Sequence, residues 1–76
     1  MTEVQSDSDR MMGVLAAATG LMDRPIEGVR GVYSLTRHLR GIGVIDAQQE
    51  RVMNGQAKAG DVDGAVRGMV RVWSRS

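Results

Sequence analysis

The chain has 76 residues, with no cysteine, no phenylalanine, one tyrosine, one tryptophan and six methionines. That length makes one domain, which buries only about 60% of the surface its unfolded form exposes, and without cysteine neither a disulfide nor thiolate ligation of a metal can reinforce it. Ten basic residues against nine acidic ones give a formal charge of +1, which argues against a surface selected throughout for phosphate backbones.

Residues 1–7 are polar and are expected to form a disordered tail ahead of a single helical domain over 8–75. Acidic Glu3, Asp7 and Asp9 stand where a secretory signal would carry its basic flank. The longest apolar run, Met11 to Ala18, is far shorter than the roughly 20 residues that span a bilayer. Both observations predict a cytoplasmic protein with no membrane partner.

Helix one is predicted from about Ser8 to Met22, because Met11, Val14, Leu15, Ala18, Leu21 and Met22 follow helical spacing behind a capping Asp7 or Ser8. Its other side carries Gly13, Ala16, Ala17 and Gly20, with no charge between Arg10 and Asp23. A helix that is apolar or small all round is normally covered on both sides. Two readings stay open: a central helix wrapped by the others, or a homodimer seam at Gly13, Ala16, Ala17 and Gly20.

Asp23-Arg24-Pro25 is expected to end that element, with Pro25 in the first turn of helix two, which runs to about Arg40. Val32, Leu35, Thr36 and Leu39 form its buried stripe, Val29 lies at the edge, and Arg30, Ser34, Arg37 and Arg40 lean to another side. Gly41-Ile42-Gly43 supplies the stop. Helix three opens with Asp46 as N-cap, followed by Gln49 and Glu50. Its core face is thin: Ile45, Val52 and Met53, joined by Gln49 and Gln56. It is therefore either the loosest element or one that meets a partner through amides.

Gly60-Asp61 breaks the chain and caps helix four. There Val62, Ala65, Val66, Met69, Val70 and Trp73 fall within roughly 140° of the helical wheel, with Arg67, Arg71 and Arg75 opposite them. The fold class is all-α, a small three- to four-helix bundle.

Catalysis needs positioned groups, and the chain offers few. His38 and Ser34 are four apart on helix two, without an orienting group or oxyanion donors beside them. Asp61 and Asp63 before Gly64 start like a calcium loop, but Ala65-Val66-Arg67 stands where further oxygen ligands belong. No glycine arrangement makes a phosphate-binding loop. Neither enzyme activity nor a cofactor or metal is expected.

The segment Val32 to Ile45, with its serine and threonine start, its Arg37-His38-Leu39-Arg40 centre and its glycine exit, resembles the recognition helix and following turn of winged helix-turn-helix regulators. That resemblance implies a scaffold helix and turn within Arg24 to Gly31 and a β-wing after Ile45. The sequence departs from the pattern at both places, with a proline and two glycines upstream and a helical pattern from Asp46 to Ala57 downstream.

The arginine faces admit solvation, phosphate contact or docking on an acidic protein surface. The functional expectation is a small non-enzymatic protein-binding module, an adaptor or inhibitor docking on a larger, possibly host, complex as phage and mobile-element accessory proteins do. Its partner-binding residues would be Arg30, Ser34, Arg37, Arg40, Arg67, Arg71 and Arg75. The alternative is a small helix-turn-helix DNA-binding regulator using helix two.

Overall fold

Four helices follow the four patterned runs in the computed structural model, which describes residues 7–21 and 26–75: α1 Asp7–Thr19, α2 Gly28–Gly41, α3 Ala47–Lys58 and α4 Val62–Arg75. The molecule is a small all-α bundle. The expected tail over residues 1–7 is shortened, because Asp7 already belongs to α1, and helix one ends at Thr19 and not near Met22, because Gly20 caps it; residues 1–6 and the role of Pro25 lie outside the described residues.

Local signals set the boundaries. α1 stops at Thr19 because Gly20 takes a φ of 88°, so that the Leu21 N–H donates to the Ala16 carbonyl at 2.8 Å. That bond closes a Schellman cap, and the positive φ favours glycine. α2 ends in the same way at Gly43, with the Val44 N–H on the Leu39 carbonyl at 2.8 Å. α3 begins with the expected capping box: the Gln49 N–H donates to Asp46 Oδ1 at 2.7 Å, and the Asp46 N–H donates to Gln49 Oε1 at 2.9 Å. Asp61 caps α4 through the Gly64 N–H at 3.0 Å.

Interhelical bonds fix the topology. The Gly28 N–H donates to Asp9 Oδ1 at 3.0 Å, and His38 Nε2 donates to the Thr19 carbonyl at 2.7 Å. The separation is the same along both helices, so α1 and α2 run parallel. Thr36 to Asn54 and Arg40 to Glu50 then set α3 antiparallel to α2. The tight turn Ala59–Asp61 reverses the chain again, so α4 runs with α1 and α2. Helices α1 and α3 each pack on both α2 and α4, which also touch each other, while α1 and α3 do not meet. The four helices thus form a ring closed by an α2–α4 diagonal.

The core joins Met12, Leu15 and Ala16 of α1, Ile26, then Val32, Leu35 and Leu39 of α2, Ile45, Met53 and Ala57 near α3, and Ala65, Val66 and Met69 of α4. The stripes expected on α2 and α4 are the buried ones. Two expectations are corrected. α1 is a flanking helix and not a central one, and its phase is rotated: Met11, Val14 and Ala18 face outward while Met12 and Ala16 face in. On α3, Val52 is 57% exposed and Ala57 fills the core position instead. α1 and α2 approach closely at Gly31, where a Cβ would stand 3.0 Å from Met12 Sδ and 3.2 Å from the Ile26 backbone carbonyl carbon.

One polar contact lies inside the packing. Thr36 is fully buried, and its hydroxyl lies 2.7 Å from Asn54 Oδ1 and 3.1 Å from the Tyr33 carbonyl. With one proton to give, the hydroxyl donates to the nearer oxygen and ties α2 to α3. Thr36→Val keeps the shape and removes the donor, so it is expected to cost about 1–2 kcal/mol, read as a lower urea midpoint with an unchanged m-value.

Candidate functional site

The ring geometry separates residues that the sequence groups together. Because α2 and α4 meet across the core, their outer faces emerge on opposite sides of the molecule. Arg30 and Arg37 are exposed on α2 with Ser34 half-buried between them, whereas Arg67, Arg71 and Arg75 are exposed on α4. These two sets cannot share one flat partner surface. Arg40 is drawn off toward α3, where its guanidinium Nη1 lies 2.8 Å from Glu50 Oε1. Arg67 is set apart as well, in a crevice with Asp7 and Asp63 between the N-terminal turns of α1 and α4.

The proposed seam residues also divide. Gly13, Ala17 and Gly20 are exposed, but Ala16 is 4% exposed and belongs to the core. Gly13, Ala16, Ala17 and Gly20 therefore do not form one outward face. His38 is half-buried and commits Nε2 to the Thr19 carbonyl, which braces the C-terminal end of α1 and leaves that nitrogen unavailable to Ser34. Asp61, the first residue of the calcium-like segment, serves as the α4 N-cap.

What the structure assembles is a groove of about 320 Å³ between α3 and α4, lined by Asp46, Gln48, Gln49, Val52, Met53, Gln56 and Gly68. Val52 and Met53 supply apolar surface, and three glutamine amides supply donors and acceptors along it. Gln49 and Gln56 were legible in the sequence as part of a weak core face; Gln48 and the groove were not, since the groove depends on α4 lying alongside.

Gly68 forms the α4 wall. It sits in mid-helix without a positive φ, and a Cβ there would lie at an ordinary 3.6 Å from Met53 Cε. Neither backbone conformation nor crowding requires glycine, although glycine in a helix costs about 1 kcal/mol relative to alanine. Its effect is to keep the groove open. One and two turns beyond Gly68 toward the α3 N-terminus come Val72 and Arg75, with Arg71 beside them on the wheel. The groove therefore has an apolar floor and amide sides; the one charge in its lining is Asp46 at the α3 N-terminus, and Arg71 and Arg75 lie beyond it on α4.

A broader hollow of about 690 Å³ runs along Glu27, Gly28, Val29, Arg30, Gly31, Tyr33 and Ser34. Its charges are of opposite sign and it borders residues outside those described. No helix of the described residues is long and apolar enough to cross a membrane.

No family model, no curated protein and no solved structure matches this chain. The helix-turn-helix resemblance loses its wing, since α3 occupies residues 47–58 and no strand occurs among the described residues.

Proposed function

We propose that the chain is a non-enzymatic protein-binding module, an adaptor or inhibitor whose α3–α4 groove takes a short amphipathic segment of a larger protein, apolar along one face and acidic at one end. The observation that carries this reading is the open groove itself, with Val52 left 57% exposed beside Gly68. Apolar side chains of the segment would cover Val52 and Met53, and the amides would order its polar edge. Arg71 and Arg75, beyond the lining on α4, would favour carboxylates on the part of the segment that leaves the groove past Gly68. A DNA-binding reading would rest on Arg30 and Arg37, because Arg40 already pairs with Glu50.

Selection from a library of random displayed peptides tests this without assuming a partner. The expected winners combine apolar residues at helical spacing with Asp or Glu at one end. Gly68→Leu then fills the groove. It is expected to keep the fold, with equal or higher thermal stability from the gain in helix propensity, and to weaken the selected peptides about tenfold or more, a change of about 1.4 kcal/mol. Peptides that bind the wild type and Gly68→Leu equally would place docking elsewhere. A library that yields only basic sequences, or none, would remove the proposal.

A further inference from the structure

We infer that Gln49 and Asp46 recognise a side-chain carboxamide, so that the segment docked in the α3–α4 groove carries Asn or Gln where it passes the start of α3. This rests on the proposed docking in that groove and names the residues that read the segment.

Of the three glutamines in the groove lining, Gln49 is the one whose amide is fixed. Its Oε1 accepts the Asp46 N–H at 2.9 Å, while its own backbone N–H donates to Asp46 Oδ1 at 2.7 Å. Only the oxygen of an amide can meet an N–H donor, so the partner sets which way the Gln49 amide faces. What remains is Nε2, a donor without a protein partner, and in the same lining Asp46 Oδ2, an acceptor without one. Gln48 and Gln56 make no hydrogen bond among the described residues. Ordering either of them on a ligand costs rotamer entropy that Gln49 has already given up to the capping box.

A donor and an acceptor held by one capping box select the groups that can meet both. Lys or Arg would satisfy Asp46 but bring further N–H donors against the Gln49 amino group. Asp or Glu would accept from Gln49 but set a second carboxylate against Asp46, the one charge in the lining. A primary amide offers its oxygen to Nε2 and its N–H to Oδ2 at once. In a helical segment the backbone groups are already paired with one another, so this amide comes from a side chain, Asn or Gln. Gln49 lies one helical turn before Val52 and Met53 on α3. The amide therefore stands about one turn, three or four residues, from the apolar side chain that covers them.

Peptides selected from the random displayed library should share Asn or Gln at that one position. Changing this amide to Lys in the tightest peptide should weaken its binding to the wild-type chain about tenfold in isothermal titration calorimetry, the worth of one or two net hydrogen bonds. Gln49→Glu keeps an acceptor for the Asp46 N–H, glutamate being an ordinary member of a capping box, so fold and thermal melt should hold. It replaces the free donor with an acceptor, and the preference should invert: the Lys peptide should bind this variant more tightly than the amide peptide does. Gln48→Glu adds the same charge to the lining and leaves the capping box alone, so the two peptides should keep their wild-type order. Selected peptides that Gly68→Leu weakens but that share no amide would overturn the inference and leave docking in the groove standing. So would a peptide order that Gln49→Glu leaves unchanged, or that Gln48→Glu inverts as well. A library that yields no binder, or only binders indifferent to Gly68→Leu, would overturn both.

Discussion

Replacing Leu39 with alanine is expected to destabilise the domain by about 2–5 kcal/mol. Leu39 is fully buried where α2 meets the rest of the core, and its carbonyl also receives the Val44 N–H that closes the helix. Removing the side chain loses its transfer free energy and leaves a cavity that the surrounding core fills only in part. The core has no phenylalanine and no fully buried aromatic ring, so no large neighbour is at hand to move into the space. A domain of this size has on the order of 5 kcal/mol to lose, and the variant should stand close to its unfolding midpoint at room temperature. Urea titration followed by far-ultraviolet circular dichroism measures the difference. A cooperative transition within a fraction of a kcal/mol of the wild type would show that the α2 stripe does not hold the core.

Ala16→Glu should be more damaging still, and the contrast with its neighbour makes the result diagnostic. Ala16 is 4% exposed within the core, while Ala17, one position on, faces solvent. A carboxylate forced inward at position 16 must be desolvated without a cation in the surrounding core, at a cost on the order of 4 kcal/mol or more. The same change at position 17 should stay within about 0.5 kcal/mol. Near-ultraviolet circular dichroism of the half-buried Trp73 and amide dispersion by NMR distinguish the two. Equal loss of structure, or equal tolerance, would mean that the phase of α1 is other than described.

That phase is the part of the fold the sequence conceals. On α2 and α4 the contrast between Val32, Leu35 and Leu39 and the arginines, or between Ala65, Val66 and Met69 and theirs, identifies the buried face unaided. From Met11 to Leu21 every residue is apolar or small apart from Thr19, and a helical period without polar contrast has no readable phase. Met11, Val14 and Ala18 form as good a stripe as Met12, Leu15, Ala16 and Thr19, yet the second packs inward. The capping signals at Asp46, Gly43 and Asp61 were legible because they are local. The groove was not, because Gly68 gains its meaning only when α3 places Met53 across from it. Nor was the fate of Arg40, whose partner Glu50 becomes a neighbour only when α3 folds back on α2.

Docking in the α3–α4 groove is decided by where a ligand sits. Amide shifts in a ¹H–¹⁵N NMR titration of the full chain with a selected peptide locate it residue by residue. The result predicted here is a continuous footprint over Gln48, Gln49, Val52, Gln56, Gly68 and Arg71, with the amides of Arg30 and Arg37 unmoved. A footprint confined to the Arg30–Arg37 face of α2 would contradict the account.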